Sequence, residues 1–107
     1  MRRRLALLGT SRGVSSGMTR IWKYELPIED VATKVMPAGA EILHVGLDPS
    51  GQPCVWALVQ ENEKMERSNF HIVGTGNPMS DEITHAMHLG SIVQGPSVWH
   101  VFDGGWG

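Results

Sequence analysis

One cysteine, Cys54, stands alone in 107 residues. No disulfide can form within the chain, and nothing in the cysteine usage asks for an oxidising compartment. Long apolar runs are missing too. None approaches the roughly 20 residues of a membrane span. The start, "MRRRLALLGTSRGVSSG", carries only Leu5-Ala6-Leu7-Leu8 after its arginines, short of the about 7–15 apolar residues of a secretory signal. Acid is absent before Met18, where Arg2, Arg3, Arg4 and Arg12 all lie. From residue 18 onward five Lys and Arg face eleven Asp and Glu, a net charge of −6. That sign opposes a generic nucleic-acid surface, which must offset phosphate charge, so no nucleic acid is expected as a partner. Several signatures are also missing. There is no Gly-x-Ser-x-Gly elbow, no Gly-Lys-Ser/Thr of a phosphate loop, no His-Glu-x-x-His, no internal repeat and no heptad.

What is present reads as strands and turns. Apolar residues make up 41% of the chain, enough for one modest core, and 13 glycines favour tight turns over long helices. In "RIWKYELP", Trp22, Tyr24 and Leu26 alternate with Ile21, Lys23 and Glu25, a period of two. "IEDVATKVMP" admits two readings: Glu29 and Asp30 could open a helical turn, but Val31, Thr33 and Val35 alternate, and a short strand is expected at 31–36. Residues 41–47 place Leu43, Val45 and Leu47 on one face and Ile42, His44 and Gly46 on the other. "DPSGQ" then supplies a turn, with Pro presetting φ and Gly accepting a positive one. The return strand "PCVWALV" is apolar on both faces and should be central, with Trp56 in the core. "QENEKMERSN" reads as a solvated loop, 70–73 as a strand, 80–87 as a helix capped by Ser80, and 91–94 and 98–102 as strands. The fold expected is mainly β: six or seven short, mostly antiparallel strands in a small sandwich or partly open barrel, with at most one short helix near residues 80–88. Residues 1–17 are expected to be a disordered extension upstream of a natural start at Met18, 18–103 the single β-rich domain, and 104–107 a flexible tail. The acid-free, Arg- and Ser-rich leader also resembles a transit peptide in composition. Exposed sheet edges suggest self-association.

Chemistry-bearing residues fall into three groups. The loop Gly74, Thr75, Gly76, Asn77, followed by Ser80, could hold an anion on backbone N–H groups, although it lacks the full dinucleotide fingerprint. His85 and His88 are three apart and share a helix face with Asp81, a partial metal set. Trp22, Trp99 and Trp106 are candidate interaction anchors. His44, His71 and His100 lie in strands and meet only if strand order brings them together. Cys54, beside Val55 and Trp56, reads as a small buried hydrophobe rather than a nucleophile. No cofactor is indicated.

From Met18 onward the chain resembles a family of small uncharacterised proteins of tailed phages and prophages. The stretches that carry the resemblance are "IWKYELPI", "VMPAGAEILHVG", "PCVWALV", "FHIVGTGNPM" and "VWHVFDGG", spread through most of residues 18–105. The resemblance transfers no functional residue. It implies expression in a host cytoplasm, with no membrane partner, and a role in host interference or assembly. The expected function is a binding module, probing a host protein or a small anionic ligand. The rivals are a small metal-dependent hydrolase using His85, His88 and Asp81, and a minor virion or assembly component.

Overall fold

The computed structural model describes residues 18–106, except the side chain of Trp106. The expected extension at 1–17, and with it the start at Met18, lies outside the described residues. Seven strands and one helical turn follow in order: β1 (Thr19–Glu25), β2 (Val31–Pro37), β3 (Glu41–Leu47), β4 (Pro53–Gln60), β5 (Met65–Gly74), α1 (Asp81–Thr84), β6 (His88–Gln94) and β7 (Ser97–Trp106). They form two antiparallel sheets, ordered β1-β4-β3 and β2-β5-β7-β6, which face each other as an open sandwich. Among the described residues no helix is long and apolar enough to cross a membrane.

β4 is central in its sheet, as its two apolar faces require. Val55, Ala57 and Val59 point inward and are fully buried. Trp56 corrects the expectation of a core residue. It sits on the outer face of that sheet, half-buried, 5.4 Å from the His44 ring and across from Lys23. Its large ring covers its own sheet rather than the space between sheets. β3 departs from simple alternation at a bulge between Ile42 and His44, where one extra residue enters the strand. Ile42 and Val45 therefore both face the core, while Leu47 is exposed.

The opposite wall of the core comes from β2, β5, β6 and β7. Ala32, Met36, Phe70, Ile72, Leu89, Ile92 and Val101 all turn inward and are buried. Trp22, Tyr24 and Trp99 close its margins. The two sheets approach most closely between β3 and β6, where a Cβ placed on Gly90 would lie 2.9 Å from Val45 Cβ.

Asp48 organises the β3–β4 turn. One carboxylate oxygen accepts from the N–H groups of Ser50 and Gln52, at 2.9 and 3.0 Å, and from the Ser50 hydroxyl. The other accepts from Lys23 Nζ at 2.8 Å, tying the turn to β1. Gly51 closes the turn with φ of 86°. The Lys23 ammonium first, then the Ser50 and Gln52 donors, hold the Asp48 carboxyl well below the usual carboxylate range. Its folded-state value is thus below the roughly 3.9 of an unfolded chain. The stabilisation is complete above about pH 4 and is lost as pH falls through the folded value. The expected outcome for Asp48→Asn is a lower urea midpoint at neutral pH. The gap from wild type should narrow steadily as pH falls below about 4, as urea titrations at each pH would show.

Two boundaries differ from the sequence expectation. The helix stops at Thr84 rather than near Met87, because Met87 O accepts from Asp103 N at 2.8 Å and His88 opens β6. β7 runs through Gly104 and Gly105 to Trp106, residues the sequence assigns to a loose end, with Asn69 paired to Gly105 and Ser68 to Trp106.

Candidate ligand-binding site

β5 and β7 are neighbours, so the turn that ends β5 stands beside the β6–β7 hairpin. The first turn is closed by Asn77 N donating to Gly74 O at 3.1 Å, with Gly76 at φ 91°. Thr75 N donates to Val98 O at 3.1 Å, which fastens the two turns together. Between them lies a cleft of about 400 Å³. Gly74, Thr75 and Asn77 form one side, and Pro96, Ser97 and Trp99 the other. The indole is fixed by Trp99 Nε1 donating to Gln94 Oε1 at 3.0 Å. Gly74 keeps the cleft open: a Cβ there would lie 3.1 Å from both Asn77 Nδ2 and Trp99 Cζ3.

A chain of polar side chains runs away from this cleft over the outer face of the four-stranded sheet. Thr75 Oγ1 and His100 Nε2 are 2.7 Å apart. His100 Nδ1 and Ser91 Oγ are 2.8 Å apart. Ser91 Oγ and His88 Nε2 are 3.1 Å apart. Ser91 and His100 are register partners on β6 and β7, and His88 stands across from Phe102, 5.2 Å ring to ring. A neutral imidazole offers one N–H and one lone pair. With both rings in the neutral form the hydrogen bonds run in one direction along the chain, leaving a spare donor at Thr75 or at His88. His100 is held at both nitrogens and in turn fixes the Thr75 hydroxyl at the mouth of the cleft.

The sequence candidates separate into distinct places. Gly74, Thr75, Asn77 and Trp99 converge on the cleft. Asn77 and Ser80 also line a neighbouring cleft of about 510 Å³, together with His71, Asp30 and Glu82. Gly76 supplies the turn's positive φ. His71 and His100 share one sheet, whereas His44 lies on the other. The metal trio does not assemble. His85 Nδ1 is 2.9 Å from Asp81 O, at the helix end, while His88 belongs to β6 and meets Ser91. The expected helix face carrying both histidines is absent because the helix ends before either. Among the described residues no three His, Cys, Asp or Glu are placed to hold a metal. Trp22 is half-buried against the core beside Tyr24, and the Trp106 side chain lies outside the described residues. Cys54 is fully buried, and burial pushes its thiol up, which keeps it un-ionised at neutral pH.

Sequence reasoning missed Ser91 as the link between His88 and His100. A third cleft, about 360 Å³, lies at another end of the sandwich and carries Glu41, Glu63 and Glu66. Of the three clefts, that of Trp99 is the one without a carboxylate on its lining.

These features define a small antiparallel two-sheet β domain with polar clefts at its loop ends. The chain belongs to the family described as a domain of unknown function, DUF7352, whose model matches residues 18–105. Neither the curated proteins nor the solved structures contain a significant match.

Proposed function

We propose that this domain is a binding module that takes a small anionic ligand in the Trp99 cleft. The observation that carries this is charge placement. On a domain of net −6, the Trp99 cleft presents an amide, two hydroxyls and an indole with no acid among them. An anion is repelled from the clefts lined by Asp30 and Glu82 or by Glu41, Glu63 and Glu66. Asn77 and the Thr75 hydroxyl donate to the ligand, and Trp99 forms its apolar wall. In the same reading the protein is made in the cytoplasm of a phage-infected host, and the cleft supports interference with a host component that carries or uses such a ligand.

Isothermal titration with inorganic phosphate, and separately with a nucleoside monophosphate, tests the proposal. Saturable binding of at least one is expected. Thr75→Val and Asn77→Ala should each weaken it by about tenfold or more, the usual scale for losing a hydrogen bond to a charged group. Heats that match dilution for both ligands would contradict it, as would binding unaffected by both substitutions.

A further inference from the structure

We infer that β2 is a self-complementary edge through which two copies of this chain pair, antiparallel, about a twofold axis at Thr33. The backbone groups of β2 point alternately to its two sides. Ile72 N donates to Asp30 O at 3.1 Å, and Ala38 N donates to Lys64 O at 2.8 Å. Those two bonds bracket β2 at even-numbered positions, and antiparallel hydrogen bonding alternates along a strand. Ala32, Lys34 and Met36 therefore direct their backbone groups at β5. Val31, Thr33 and Val35 direct theirs away from the sheet. β2 is the last strand of its sheet, so among the described residues these groups form an open edge. Such an edge is a template for another strand.

The side chains select the partner. Val31 and Val35 are 46% and 54% exposed on the outer face, and Thr33 lies between them with its hydroxyl donated to Asn69 Oδ1 at 2.8 Å. Val-x-Thr-x-Val reads the same in both directions. Pairing centred on Thr33 sets Val31 against Val35 of the second copy and lets all three outward residues donate and accept. It also sets Lys34, the one charge in the strand, against alanine at position 32 of the partner. Moving the register one step toward the C-terminus opposes lysine to lysine, which is unfavourable. That step also brings Pro37, which has no N–H, into the ladder. One step the other way leaves Val35 outside the paired strand. The sequence thus admits one good register, and Pro37 limits its length. This inference is independent of the Trp99 cleft.

The interface is one strand wide, at the small end of specific interfaces, below about 1,200 Å². Association should be reversible and concentration-dependent. The test uses the full chain in light scattering over a concentration series, with hydrogen exchange of individual amides. A dimer is expected, with the amides of Val31, Thr33 and Val35 protected at high concentration and exchanging rapidly on dilution. Val35→Lys should raise the dissociation constant by at least about tenfold, since charge on an edge opposes strand addition. Thr33→Pro removes a central donor and should do the same, with a circular dichroism spectrum confirming that each variant folds. A monomer at all concentrations would overturn the inference, whether its edge amides are open or are covered by its own chain. So would a dimer that survives both substitutions.

Discussion

Replacing Phe70 with alanine should cost about 3–5 kcal/mol, the range for emptying an aromatic site in a packed core. Among the described residues Phe70 is the largest fully buried side chain. It stands on β5, the strand flanked by β2 and β7, opposite Ala32 on one side and Asp103 on the other. Small side chains beside it cannot close the void by rotating inward, so the cavity persists and its lining loses contacts. Domains of this kind have about 5–15 kcal/mol in total, so much of the stability is at stake. Urea unfolding followed by tryptophan fluorescence measures the loss. A cost under about 1 kcal/mol would mean that Phe70 is not at the centre of the packing.

Gly90→Val is expected to destabilise by about 3 kcal/mol, the upper end for overpacking. The contact concerned is Cβ against Cβ, at 2.9 Å from Val45, so no rotamer change relieves it. β6 must move away from β3 and open the seam between the sheets. A double-mutant cycle with Val45→Gly checks the cause: the pair should lose less than the sum of the two single changes. Strict additivity would place the strain elsewhere. The Ser91–His88 contact lies on the same strand, so a displaced β6 should also disturb the polar chain that reaches Thr75.

The sheet framework was legible where side chains alternate. β1, β2 and β3 show a period of two, although Glu29 and Asp30 before β2 equally suit a helical turn; β4 is apolar on both faces, and residues 48–52 hold turn residues in working order. The hidden parts had physical reasons. The first half of β5, "MERSN", carries charged and polar side chains because its outward face meets water, and its inward Ser68 is polar although buried. Periodicity in hydrophobicity cannot mark such a strand; its pairing with β2 and β7 does. The end of β7 is glycine-rich for a different reason. A Cβ at Gly104 would lie 2.9 Å from Asn69 Cβ and from Asn69 O, so close backbone approach selects glycine there. The bulge at Ile42 and His44 redirected a face that simple alternation assigned otherwise. The candidate site was half visible. The Gly74–Thr75–Gly76–Asn77 loop and Trp99 could be singled out separately. Their meeting, and the link from Thr75 through His100 and Ser91 to His88, depend on β7 lying between β5 and β6. That order is set by long-range pairing and leaves no local trace in the sequence.

The most direct test is an amide-resolved NMR titration of the full chain, run with inorganic phosphate and, separately, with a nucleoside monophosphate. With at least one of them, shifts should saturate together at Gly74, Thr75 and Asn77, at Ser97, and at the Trp99 indole N–H, with little change around Glu41, Glu63 and Glu66. Shifts that saturate with neither ligand, or that gather on the acidic clefts instead, would contradict the binding role.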